Sequence, residues 1–197
     1  MSPAGSGRKQ PKGKFGTAAL EQLYRGVRQT GQPLIFLDID DVLCLSKPYG
    51  GYDVFDAEQP PDLWEKLWHP PAVQTLLAIV QEHQPRIVIT SSWVRLLDRE
   101  GFIGVFRRTR LGAVADALHK NWEAPQPSGA TRLSAIESWL KARYEGEPLV
   151  VIDDAFSGSG LQGSQLERAG CLLLCQTGVG FHDGHLPAVR RALRHEQ

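Results

Sequence analysis

The sequence predicts an α/β chain in which a parallel sheet is flanked by helices. Two observations carry this. Four short apolar runs stand at residues 34–45 (LIFLDIDDVLCL, broken by acids), 86–90 (RIVIT), 149–152 (LVVI) and 171–175 (CLLLC), and they are continuous rather than alternating. Continuous apolarity is what strands buried on both faces of a parallel sheet require. Between the runs lie segments with apolar residues at helical spacing. Strands that alternate with helices imply parallel neighbours joined by right-handed crossovers.

Taken in order, residues 1–16 are rich in Gly, Ser and Pro, carry bases within the first fourteen positions (Arg8, Lys9, Lys12, Lys14) and contain no acid. They read as a flexible basic tail, and their lack of an apolar stretch argues against a secretory signal. Residues 17–197 then read as one domain, opening with helical spacing over 18–27. Residues 46–70 interrupt the alternation with a small cap insertion. There Tyr49-Gly-Gly-Tyr52 reads as a turn or hairpin, and Trp64 and Trp68 stand one helical turn apart. Such an insertion lies above the C-terminal end of the first strand, where open α/β sheets bind ligands. The two tryptophans read as packing anchors, or else as a lid or base-stacking platform. Residues 72–83 place Val73, Leu76, Leu77 and Val80 on one stripe, with Pro71 near its start. Residues 112–118 supply a fifth strand or a helix. Residues 131–144 turn Leu133, Ile136 and Leu140 inward, with Thr131 or Ser134 as the cap, and helical patterns over 161–169 and 187–194 complete the alternation.

Composition excludes some classes of function. No run approaches the roughly 18 apolar residues that cross a membrane. Twenty-two basic residues balance 22 acidic ones, so no global field draws the chain to nucleic acid or anionic lipid. Three cysteines, with Cys171 and Cys175 off any zinc spacing, suit a reduced, cytoplasmic chain.

The chemistry sits where the apolar runs end. Asp38 and Asp40 close the first run two residues apart, so both carboxylates can face one volume. Asp153 and Asp154 close the run at 149–152 in the same manner. Like charges converge at a strand end only if a cation or proton compensates, and an oxygen-only ligand set of this density suits Mg²⁺. Thr90, Ser91 and Ser92 end the intervening run with hydroxyls and N–H groups able to take a phosphoryl oxygen. Arg132 opens the helix that leads into the acidic strand, where a cation would balance the carboxylates.

Together these residues resemble the haloacid-dehalogenase (HAD) superfamily of phosphohydrolases. DIDDVL resembles its first motif, IVITSS its second and VVIDDAF its fourth. The ITSSW string and the TRLSAIESWL helix further resemble the small HAD domains associated with bacterial RNA-repair proteins. The likeness implies a Rossmann-like sheet with at most a small cap. It implies Asp38 as the nucleophile that forms an aspartyl-phosphate, and Asp40 as the acid and base at the leaving oxygen and the water. It also implies Mg²⁺ held by Asp38, the Asp40 backbone carbonyl and Asp153, with Asp154 beside it, and Ser91 as the second-motif hydroxyl, Thr90 being the alternative. Two departures stand out. The third-motif lysine is replaced by Arg132, with Lys120 and Lys141 as weaker candidates, and no large cap is present. An open site favours a bulky phosphorylated substrate, such as a nucleic-acid end or a phosphoprotein, over a small molecule.

Other motifs are weaker. Gly158-Ser-Gly160-Leu-Gln-Gly163 has the spacing of a dinucleotide loop but does not directly follow its strand. His182, Asp183 and His185 read as a solvent-facing loop rather than a metal site, and Cys44 reads as a core residue. A receiver-like signalling domain and a non-catalytic phosphate-binding module remain alternatives to the enzyme.

Overall fold

The computed structural model describes residues 14–27 and 29–194, and bases Arg8, Lys9 and Lys12 of the expected tail lie outside them. Among the described residues five strands form one parallel sheet: β1 (Leu34–Leu37), β2 (Arg86–Ile89), β3 (Leu118–Glu123), β4 (Leu149–Asp154) and β5 (Leu172–Cys175). Their spatial order is β3-β2-β1-β4-β5. Leu34 is level with both Arg86 and Leu149, and Leu37 with both Ile89 and Ile152, so β1 and β2 end at one height and β4 runs on two residues further, to Asp154. The chain leaves β1 toward β2 and later returns to β1's other side through β4. That reversal opens a crevice at the carboxyl ends of β1 and β4.

The helices are α1 (Lys14–Tyr24), α2 (Gly51–Phe55), α3 (Leu63–Lys66), α4 (Pro70–His83), α5 (Arg99–Arg108), α6 (Gly112–Asp116), α7 (Arg132–Arg143), α8 (Gln165–Arg168) and α9 (Leu186–Leu193). Side chains alternate across the sheet, and the core divides accordingly. Leu34, Phe36, Val88, Leu149 and Val151 meet Leu20 and Leu23 of α1 and Ile136, Trp139 and Leu140 of α7. Ile35, Leu37, Ile87, Ile89 and Ile152 meet α4, α5, α6 and α9 on the other face. Phe36 packs edge-on against Trp139 with ring centroids 5.2 Å apart. Every residue of β1 and β4 is buried, which is why residues 34–37 and 149–152 read as unbroken apolar stretches.

Several expectations shift. The first helix spans Lys14–Tyr24, so it crosses the boundary set after residue 16. Residues 112–116 are helical, and the fifth strand is Leu118–Glu123 instead. That strand lies at the edge of the sheet, where water on one side permits a polar sequence, LHKNWE, which the search for apolar runs passes over. Of residues 161–169 only Gln165–Arg168 form a helix, started by Ser164, whose Oγ accepts the Glu167 N–H at 3.3 Å. Residues 49–52 form no hairpin; they lead into α2, with the Asp53 carboxylate accepting the Gly50 N–H at 2.7 Å. The insertion of residues 46–70 thus comprises α2 and α3. Its tryptophans are packing anchors: Trp68 is buried and stacks on Trp93 at 5.6 Å, and Trp64 lies under the Arg108 guanidinium at 4.3 Å.

Candidate active site

The crevice is built from strand ends. Asp38 follows β1 directly and its N–H still donates to Ile152 O at 3.0 Å, so the β1–β4 ladder holds it beside Asp153. Beyond it the chain turns sharply: the Leu43 and Cys44 N–H groups return to Ile39 O, and Asp41 takes a left-handed φ of 53°, a conformation Asp tolerates. The Asp41 carboxylate accepts the Gly178 N–H at 2.9 Å, which ties the loop after β5 to this turn.

Asp38, Asp153 and Asp154 are all buried, and one carboxylate oxygen from each lies within 4.8 Å of the others. Arg132, the first residue of α7, reaches into this cluster. Its Nη2 lies 3.2 Å from Asp38 Oδ1 and its Nε 3.0 Å from Asp153 Oδ2. The first contact is a hydrogen bond. The second is close but poorly aligned, so Asp153 Oδ2 stays buried without a hydrogen-bond donor among the described residues. Ser157 bridges the three acids. Its Oγ contacts Asp38 Oδ2 at 3.2 Å and Asp153 Oδ1 at 3.4 Å, and hydrogen-bonds Asp154 Oδ2. Asp154 Oδ1 in turn accepts the Phe156 and Ser157 N–H groups at 2.7 and 2.9 Å.

Removal from water dominates the electrostatics. Burial raises the Asp38 carboxyl above the usual carboxylate range, with the Arg132 charge pulling the other way. Asp153 is raised too, first by burial and then by the negative charge of Asp38, and Arg132 again opposes. Three carboxylates facing one guanidinium leave an excess of negative charge that a divalent cation would neutralise.

Asp40 is set apart from that cluster. Both its oxygens lie 3.1 Å from the Trp93 indole Nε1, and Ser92 Oγ lies 3.5 Å from Oδ2. Burial raises its carboxyl and the indole hydrogen bond lowers it. The indole is held by its stack on Trp68 and by the close backbone of Gly51, where a Cβ would come within 2.7 Å of Nε1. Asp40 lines a cavity of about 540 Å³ together with residues of α2 and of the 3₁₀ turn Ser92–Arg95.

The structure therefore gathers Asp38, Arg132, Asp153 and Asp154 at one point, and the Asp40 carboxylate is turned aside from them to the cavity wall. That carboxylate stands outside the acidic cluster expected at positions 38, 40 and 153, because the indole captures it. Thr90 is level with Asp38 when the β1–β2 register is continued; its N–H donates to Leu37 O at 2.9 Å, and its buried Oγ1 has no hydrogen-bond partner among the described residues. Ser91, also buried, caps the 3₁₀ turn by accepting the Trp93 N–H at 3.4 Å. Lys141 pairs with Glu137 on the surface at 3.4 Å, and Lys120 lines a separate cleft of about 630 Å³ with Gln32, Arg86 and Glu147, so neither joins the acids. His182 and His185 use their Nδ1 atoms to accept backbone N–H groups and form no ligand cluster with Asp183. The glycine-rich loop packs against the site: a Cβ on Gly158 would lie 2.6 Å from Asp154 O, and Ser159 Oγ accepts the Arg132 N–H at 2.9 Å.

Sequence reasoning missed two residues, Ser157 and Trp93. The pattern Asp154-x-x-Ser157 is a signal for the first, since an Asp side chain commonly folds the following turn onto itself. No local signal announces the second, whose partner lies 53 residues away.

No curated protein and no solved structure matches the chain. Residues 34–186, which hold the whole acidic cluster, do match the family described as the HAD domain in Swiss Army Knife RNA repair proteins, and the chain belongs to that family of HAD-like phosphohydrolases.

Proposed function

We propose that the protein is a Mg²⁺-dependent phosphatase that works through an aspartyl-phosphate on Asp38. The observation that carries this reading is the meeting of three buried carboxylates, two of them paired with Arg132. The donor set fits the ion: it consists of oxygens only, carries excess negative charge, and includes a buried Asp153 oxygen without a donor among the described residues. Asp38, Asp153 and Asp154 would hold Mg²⁺ with the Asp40 backbone carbonyl, and the ion would offset charge on the phosphoryl oxygens.

Asp38 attacks phosphorus, and its oxygen–phosphorus bond forms as the bond to the leaving oxygen breaks. Asp40, held by Trp93 at the cavity wall, gives its proton to that leaving oxygen. It then takes a proton from water as the water attacks phosphorus, which frees inorganic phosphate and restores Asp38. Arg132 orients Asp38 and balances the transferring charge. Thr90 takes the hydroxyl role expected of Ser91, because it stands level with Asp38 with its Oγ1 unengaged, whereas Ser91 is fixed as a turn cap. Ser92, beside Asp40, faces the leaving group.

The short insertion, which adds only α2 and α3, supports a bulky substrate such as a phosphorylated nucleic-acid end. Three free, buried cysteines suit the reducing cytoplasm. Among the described residues no helix is long and apolar enough to cross a membrane.

Hydrolysis of an aryl phosphate, followed with Mg²⁺ and with a chelator, tests the reading. Turnover is expected with the metal only, and Asp38→Asn is expected to abolish it while the circular dichroism spectrum stays native. Turnover that survives Asp38→Asn removes the assigned nucleophile. Phosphate-ester binding without turnover would favour a non-catalytic module.

A further inference from the structure

We propose that the cavity beside Asp40 is a leaving-group subsite that stacks the terminal nucleobase of an oligonucleotide on Tyr52. The proposal rests on the phosphatase reading and adds what the leaving group is. Asp40 serves the leaving oxygen, and Asp40 lines this cavity while Asp38 does not; the group that departs therefore occupies it. At about 540 Å³ the cavity falls in the range of roughly 300–1,000 Å³ that holds organic ligands of drug size. A nucleoside fills such a space, and a small alkyl group leaves it empty.

The lining matches that occupant. Tyr52 is 90% exposed and presents an aromatic ring on the cavity wall that the protein core does not use. Leu96, 52% exposed, adds an aliphatic surface, and Ser92 adds a hydroxyl. Behind them Trp93 is buried and meets Phe55 edge-on at 6.4 Å, which gives the wall a rigid backing. Arg95, exposed at the rim, donates to Gln126 O at 3.2 Å and has no carboxylate partner among the described residues. A cation placed there can meet the phosphodiester next to the terminal nucleotide. An exposed ring with a neighbouring arginine is the combination by which proteins hold single-stranded nucleic acid, since every base has a face to stack. A phosphopeptide offers neither an obligatory ring nor a second phosphate to this wall.

The test measures kcat/KM of the full-length protein on 5′- and 3′-phosphorylated oligonucleotides whose terminal nucleotide either carries its base or is abasic. A preference of about tenfold or more for the base-bearing end is expected, in whichever phosphate position is accepted. Tyr52→Ala should bring that preference close to one, and Tyr52→Phe should retain it, because the ring face and not the hydroxyl makes the contact. Arg95→Ala should lower the rate on the oligonucleotide more than on a mononucleotide. Binding is read separately in the Asp38→Asn protein with an oligonucleotide ending in 2-aminopurine, whose fluorescence should be quenched on binding and recover when Tyr52→Ala is added. Equal rates on base-bearing and abasic ends, or a preference that survives Tyr52→Ala, would overturn the subsite and leave the phosphatase standing. Faster turnover of a phosphoserine peptide would also overturn it. Quenching without turnover of any phosphoester would uphold base binding here and overturn the phosphatase.

Discussion

Arg132 is the residue on which the acidic cluster depends in the apoprotein. It is 4% exposed and touches two carboxylates, and removing one partner of a buried ion pair costs up to about 3–5 kcal/mol. Arg132→Ala is expected to lower the unfolding midpoint in urea by a corresponding amount, and to slow turnover by about 10²–10³ if the guanidinium also meets the transferring phosphoryl group. A near-native rate in that variant would move the third-motif role elsewhere. Trp93 makes a separate prediction. Its indole hydrogen bond lowers the Asp40 carboxyl, so Trp93→Phe should raise it and displace the limb of the pH–rate profile governed by Asp40 to higher pH. Losing a hydrogen bond to a charged group, worth about 1.5–3 kcal/mol, should also reduce kcat/KM by about tenfold or more. At this scale the acids were legible because a carboxylate closing an apolar strand has few structural reasons to be there. Ser157 carried only the turn signal that follows Asp154, and the Trp93–Asp40 contact carried none, since its partners stand 53 residues apart.

The element that aims the chemistry is α7. Its N-cap, Thr131, accepts the Ser134 N–H at 3.1 Å, and the next residue is Arg132. A lost N-cap costs about 1 kcal/mol, so Thr131→Ala should destabilise the protein by about that much in a denaturant titration. It should also slow turnover more than an equal destabilisation at Ser164, the cap of α8. Equal effects at the two caps would show that α7 only supports the fold. The elements were readable in proportion to their burial. The central strands and α4 and α7 present continuous or stripe-like apolar patterns, and Thr131 was one of the two caps expected from the sequence. The edge strand Leu118–Glu123 faces water and carries a polar sequence that no buried-strand pattern reveals. Residues 49–52 misled because glycines also permit close packing: Gly51 is where the backbone meets the Trp93 ring.

Over the whole molecule, the cluster links stability to pH and metal. Asp38 and Asp153 are raised in the folded chain, so the folded state binds protons more tightly than the unfolded state, whose carboxyls titrate near about 4. Their contribution to stability is full below that value and is lost as pH rises through the raised folded values. Relative to Asp153→Asn, the metal-free wild type should therefore lose Tm between mildly acid and mildly alkaline pH. Because Mg²⁺ and protons compete for the same oxygens, added Mg²⁺ should raise Tm most at the alkaline end. A Tm difference between the two proteins that is flat across this range would mean that the acids are not coupled as described.

The parallel sheet could be anticipated from alternating elements, whereas the strand order, the meeting of β1 with β4 and the turning of Asp40 toward the cavity are seen only in the fold. The most direct measurement is mass spectrometry of the protein quenched in acid during turnover of a phosphoester with Mg²⁺. A phosphoryl group should be found on the peptide bearing Asp38, and none on the Asp38→Asn protein. Turnover with that peptide unmodified at every time point, or a phosphoryl group on another residue, would contradict the mechanism.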